Sequence, residues 1–172
     1  MRTVLAFALL IGLLGGWPAD AAARGGTLAG SWFVTVDPQP APDVEAPPPF
    51  ESILNFGFAR TLVETDNSVS PNSVVTLFPP DVFPPFSASD GYGSWERAGW
   101  NRYRCRFLKF LFSEAGEPVG IIDTTLDLEI NRDGTLAGGG ASDFIRGTDP
   151  EGEVFFTGLV ELKGARLKAE RR

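Results

Sequence analysis

Between Ile122 and Ile130 the chain alternates without interruption. Ile122, Thr124, Leu126, Leu128 and Ile130 fall on one side, and Asp123, Thr125, Asp127 and Glu129 on the other. A two-residue period of this kind marks a β-strand with one face on a core and one in water. Read along the whole chain, alternation and turn signals predict eight strands, at Leu28–Val36, Glu51–Phe56, Thr61–Thr65, Tyr92–Arg97, Arg102–Ser113, Val119–Ile130, Thr135–Arg146 and Glu153–Lys163, with a short extra piece at Val74–Phe78. No stretch after residue 23 reads convincingly as a helix. Asn131–Gly134 and Thr148–Gly152 each offer a type I turn, with a glycine for the positive φ of a bulge, so hairpins join the later strands.

Turn length sets register, and register sets which side chains meet. A three-residue loop at 132–134 puts Leu126 opposite Gly140 and Leu128 opposite Gly138. A four-residue loop at 114–117 puts Arg102 opposite Glu129 and Arg104 opposite Asp127, with Arg106 diagonal to Asp123 and Asp127. That is an exposed ion-pair ladder, each rung worth ~0–1 kcal/mol. A three-residue loop at 98–100 would set Glu96 against Arg102 and Trp95 against Tyr103. The turn at 150–152 would set Arg146 inward, opposite Phe156. The inner face then offers Trp95, Tyr103, Phe107, Thr124, Ser142, Phe144, Arg146 and Phe156 as candidate ligand-binding residues, with Gly138, Gly140 and Gly158 contributing almost no side chain. "RFLKFLF", from Arg106 to Phe112, breaks the pattern. A bulge near Leu108 would turn Lys109 outward and Phe110 and Phe112 inward. Without it, an apolar outer stripe would leave a dimer open.

Eight antiparallel strands joined by short hairpins read as an all-β up-and-down barrel, with a two-sheet sandwich as the alternative. In such a barrel every second loop shares one rim. The loops 37–50, 66–91, 113–118 and 147–153 carry only carboxylates and no lysine or arginine. Arg24, Arg60, Arg97, Arg132, Arg166, Lys168, Arg171 and Arg172 collect at the other end. Two of the acidic-rim loops, 37–50 and 66–91, are long and rich in proline, and such segments are extended and stiff. "TDNS" and "TDPEGE" lack the spacing of a calcium loop and read as solvated turns.

Composition narrows the chemistry. Arg2, an apolar run from Val4 to Leu14 and small residues at Ala19–Ala21 read as a cleaved secretory signal over residues 1–23, leaving one domain at 24–172 exported to the periplasm or beyond the cell. The net charge of −7 argues against nucleic acid, and the apolar run is too short to span a membrane. With no histidine, triad catalysis and His-ligated zinc are excluded. No cofactor and no metal site is expected. The lone Cys105 lies mid-strand and reads as buried.

Gly30-Ser31-Trp32 at the start of the first strand, followed by a long first loop, resembles lipocalins and other calycin barrels. That resemblance implies that Trp32 closes the barrel floor with Arg166 lying over it. The Thr-Asp-Tyr element, disulfide and C-terminal helix of secreted lipocalins are absent. From Gly91 onward, Gly93, Trp95, Arg97, Gly99, Tyr103 and Phe107 are similar to a pattern in uncharacterised lipocalin-like proteins of bacteria and fungi, which implies a barrel without an established activity. Three functions follow as expectations. The first is a barrel binding a small apolar or amphipathic ligand through its acidic, proline-rich rim. The second is a protein-interaction module using "FPPDVFPPF", from Phe78 to Phe86. The third is a cyclase- or isomerase-type enzyme using Tyr103, which needs an inward carboxylate nearby. Alternation places every assignable strand carboxylate outside.

Overall fold

Turn glycines and alternating strands close the chain into a ring in the computed structural model, which describes residues 27–40, 46–67, 77–79 and 81–168. The strands are β1 (Gly30–Gln39), β2 (Phe50–Phe56), β3 (Thr61–Asp66), β4 (Ser87–Ala88), β5 (Gly91–Arg97), β6 (Arg102–Phe112), β7 (Pro118–Ile130), β8 (Leu136–Arg146) and β9 (Val154–Arg166). All pairings are antiparallel. β1 pairs with β2 and β9, and β6 with β7, so β1, β2, β3, β5, β6, β7, β8 and β9 form a closed eight-stranded barrel. Closure leaves no long free edge. The described residues contain no helix long and apolar enough to cross a membrane.

The extra strand is β4, which pairs with the upper end of β6 where β5 stops short. Ser89 bridges the break: its backbone N–H donates to the Phe110 carbonyl, and its hydroxyl accepts from the Phe110 N–H. The extra piece expected at Val74–Phe78 falls mostly outside the described residues, and Leu77 and Phe78 are not in a strand.

The β7–β8 hairpin has the expected register, with Leu126 opposite Gly140 and Leu128 opposite Gly138. The ladder between β6 and β7 also forms, with Arg102–Glu129 at 3.4 Å, Arg104–Asp127 at 3.1 Å and Arg106–Asp123 at 2.6 Å. Two turns differ from expectation. Arg97 pairs with Tyr103, which puts Trp95 opposite Cys105 and Glu96 opposite Arg104. The turn holds more residues than three because Ala98 and Gly99 both donate to the Arg102 carbonyl. The shift is two residues, so Trp95 keeps its face and its ring still meets Tyr103 at 5.7 Å. Between β8 and β9, Phe144 faces Phe156 and a register shift follows at Ile145. The extra residue is Phe155 of β9; β8 stays in register with β7 as far as Gly120 and Arg146, so Arg146 keeps the face of Phe144 and lies exposed at the rim, no longer opposite Phe156.

Two apolar clusters fill the interior. The lower one packs Trp32, Leu54, Phe56, Leu62, Tyr103, Cys105 and Leu128. The upper one packs Phe78, Phe83, Phe86, Leu111, Ile122 and Phe144 with partly buried Phe155 and Phe156. At the lower end the Trp32 indole donates to the Leu28 carbonyl at 2.8 Å, and the Arg166 guanidinium lies 4.5 Å from its ring centroid. Arg166 also donates to the carbonyls of Ala29 and Thr27. Gly30 is needed here. It has φ +124°, and a Cβ would stand 2.7 Å from Arg166 Nη1.

Candidate functional site

Between the two clusters the barrel holds a cavity of about 720 Å³. Its lower walls are Val34, Leu54, Phe107, Leu126 and Leu162, and Val36 and Val160 rise beside them. At the end carrying the long loops it is bounded by Ala46–Pro49, Phe50, Leu77 and Phe78. The volume falls in the range of ~300–1,000 Å³ common for small-molecule sites.

Five of the expected residues line this cavity: Phe107, Thr124, Ser142, Phe144 and Phe156. Thr124 Oγ1 and Ser142 Oγ form a hydroxyl pair at 2.9 Å on the wall made by β7 and β8. Trp95 and Tyr103 do not line it; they pack in or against the lower cluster. Arg146 is exposed. It donates to the Val82 carbonyl at 2.6 Å and stacks 4.7 Å from the Phe155 ring, so it clasps the proline-rich segment at the rim. Gly158 does line the cavity, but Gly138 and Gly140 serve the wall instead, since a Cβ there would run into the Asp127 and Thr125 carbonyls of β7.

The polar centre of the cavity is a set that the expected alternation and bulge place outside. Lys109 points inward and is 6 % exposed, because β6 has no bulge near Leu108; its irregularity lies at Leu111 and Phe112. Phe110 is consequently outside, 43 % exposed. Lys109 is tolerated inside because β3 supplies its counter-charges. Glu64 and Asp66 stand on the inner face of β3 beyond Leu62, and the Lys109 ammonium lies 2.6 Å from Glu64 Oε2 and donates to Asp66 Oδ2. The expectation that strand carboxylates all face solvent is therefore wrong for these two. Ser52 on β2 donates to Glu64 Oε1 at 2.7 Å. Among the described residues, Glu64 Oε2 accepts no hydrogen bond from any group other than Lys109. Ser52, Glu64, Asp66 and Lys109 all line the cavity.

Gly91 makes the arrangement fit. It ends β5 between β3 and β6, and a Cβ there would sit 2.6 Å from Phe107 Cδ2 and 3.0 Å from Glu64 Oε2. Burial holds the Glu64 carboxyl above its ordinary range; the neighbouring Asp66 adds to this and Lys109 opposes it. For Lys109, burial pulls the ammonium down, but the charges of Glu64 and Asp66 and the hydrogen bonds to them outweigh it and leave it above its ordinary value. An ammonium so held is a poor nucleophile, so the set is suited to binding rather than to imine chemistry.

The segment Phe78–Phe86 does not offer its aromatic rings to a partner. Phe83 is 2 % and Phe86 1 % exposed, and Phe83 stacks on Phe155 at 4.9 Å. Burial removes the reading of this segment as a docking motif. The enzyme reading loses its geometry as well: the inward carboxylates belong to the cavity, whereas Tyr103 belongs to the lower cluster. Among the described residues no group of three or more possible ligands is placed to hold a metal ion. No family model, curated protein or solved structure matches this chain.

Proposed function

We propose that this protein is an exported barrel, akin to the lipocalin-like barrels, that carries one small apolar or amphipathic molecule in its central cavity. The observation that carries the reading is the cavity itself. It has about 720 Å³ of space, walls made mainly of Val, Leu, Phe and Pro, and a few polar groups, at the Lys109 set, the Thr124–Ser142 pair and Gln39. Ligand sites have this composition: apolar surface supplies affinity and a few fixed polar groups supply orientation. The closed floor under Trp32 leaves the end with the acidic, proline-rich loops as the side from which a ligand arrives. Export is supported by the arrangement of Arg2 and the apolar run Val4–Leu14, which lie outside the described residues.

Native mass spectrometry of the protein isolated from its own host tests the reading. The expected spectrum shows one small molecule per chain, lost on denaturation. A chain that arrives bare and also refuses a neutral apolar dye contradicts it.

A further inference from the structure

The hydroxyls of Thr124 and Ser142 have one hydrogen bond between them. The two residues stand directly opposite each other on β7 and β8, with Oγ1 and Oγ 2.9 Å apart. Two hydroxyls hold two protons, and the bond between them uses one. Neither side chain makes another hydrogen bond among the described residues, so one O–H donor is left over. Its surroundings are apolar: Thr124 is 5 % exposed, opposite Phe107 of β6 and between Ile122 and Leu126 on the inner face of β7. A donor without an acceptor there costs free energy, and a ligand oxygen that accepts from it is bound correspondingly well.

The wall is also open beside the pair, where Ser142 faces Gly158 of β9. At Gly138, Gly140 and Gly164 a Cβ would stand 2.3, 1.9 and 2.5 Å from a backbone carbonyl oxygen, so the sheet itself demands glycine. At Gly158 the nearest atom is Phe156 Cε1, at 3.3 Å. The backbone makes no such demand at this position, and the missing side chain keeps space clear next to Ser142.

The charged set, by contrast, offers a ligand no counter-ion. Lys109 is engaged by both Glu64 and Asp66, Ser52 donates to Glu64, and Asp66 has a further interaction besides Lys109. Gln39, at the end of β1, directs its Nε2 to the Asp37 carbonyl. An ion entering the cavity would shed its water without a partner of opposite charge set aside for it. The rim opposes anions as well: the described parts of its loops carry Asp81, Asp90, Glu114, Glu117, Asp149 and Glu151, and no lysine or arginine.

We propose that the molecule held in the cavity is uncharged and carries a carbonyl oxygen, as a long-chain ketone, aldehyde or ester does. The carbonyl accepts from the Thr124–Ser142 pair in the space beside Gly158, and the apolar chain lies against Phe107, Leu126 and Val160. This rests on the reading of the cavity as the ligand site.

Three probes with one chain length separate the possibilities. 2-Undecanone, undecanoate and undecylamine are titrated below their micellar concentrations at neutral pH, each displacing bound N-phenyl-1-naphthylamine. The ketone should bind about tenfold more tightly than either ion, or better. Because either hydroxyl alone still offers a donor, Thr124→Val and Ser142→Ala should each weaken the ketone by no more than about threefold, and the double variant by about tenfold. The dye should keep its affinity to within about twofold in all three variants. Replacing both partners by apolar groups of similar shape is gentle on the fold, and circular dichroism checks each variant. With the wild type alone, the infrared carbonyl stretch of bound 2-undecanone should lie below its value in hexane, as a hydrogen bond requires. Tightest binding of either ion overturns the uncharged ligand. A ketone affinity unchanged in the double variant, an equal loss of dye and ketone, or a stretch at the hexane value overturns the hydroxyl anchor. Each of these leaves the cavity a ligand site. If the dye and all three probes fail to bind the wild type, the ligand-site reading falls with the proposal.

Discussion

Lys109 Nζ stands 2.6 Å from Glu64 Oε2, joining two strands that are not neighbours in the sheet, since β5 runs between β3 and β6. The contact is possible because β5 ends at Gly91, which has no side chain to block the path. Lys109→Met leaves two buried carboxylates without their cation. Removing one partner of a buried ion pair costs about 3–5 kcal/mol, so the midpoint of urea unfolding should fall sharply. Arg104→Ala removes an exposed rung of the ladder and should cost less than about 1 kcal/mol. Similar losses in the two variants would contradict the buried placement of Lys109.

The same pair gives the stability a pH dependence with a definite sign. The folded state holds the Lys109 proton above the ordinary value of 10.5, so this contribution is complete below that pH and is lost as pH climbs through the folded value. Glu64 has the same sign in a lower range: burial, aided by Asp66, keeps it above 4.5, so stability falls as pH rises from 4.5 through its folded value. Urea midpoints of wild type and Lys109→Met should therefore converge above about pH 10.5 and stay apart at neutral pH. A gap that persists unchanged at the highest pH would contradict the pairing.

Cys105 lies on the inner face of β6 opposite Leu126, 1 % exposed. Burial, with a smaller push from Asp127, moves its thiol up to about 12. At mildly alkaline pH the folded protein should not react with Ellman's reagent, and one thiol should appear on unfolding. Rapid reaction of the native protein would place Cys105 at the surface instead.

At the floor, Arg166→Met removes the contact over Trp32 and the bonds to two backbone carbonyls. The expected loss is ~1–3 kcal/mol, with a change in tryptophan emission. Dye affinity should be unchanged, because neither Trp32 nor Arg166 lines the cavity. A large drop in affinity without unfolding would show that the floor takes part in binding.

The strands were legible because alternation in β7 and the turn at Asn131–Gly134 fix a register, and register fixes faces. Even the misjudged turn at 98–100 kept Trp95 and Tyr103 inside, since a slip of two residues preserves the face. The site was harder to read because its central residues violate the rule that reveals strands. Lys109 looked like an error of alternation to be corrected by a bulge. Yet Leu62 inside implies Glu64 inside, on the same strand and by the same period. Two inner positions carrying opposite charges, on strands that closure brings together, are the signal of a buried pair. The partner expected for Arg146 was missed for a different reason: the extra residue at Phe155, which moves Phe156 opposite Phe144, leaves no trace in turn composition.

The central claim is that the cavity between Trp32 and the long loops is where a ligand resides. The most direct test is a fluorescence titration with neutral N-phenyl-1-naphthylamine, comparing wild type with Val160→Trp. Val160 is half-buried, faces the cavity from β9 and packs against the lower cluster, so an indole there takes up part of the space. The wild type should bind one dye per chain with a blue-shifted emission, and the folded variant should bind it more weakly. Saturable binding of equal strength in both proteins, or none in the wild type, would contradict the account.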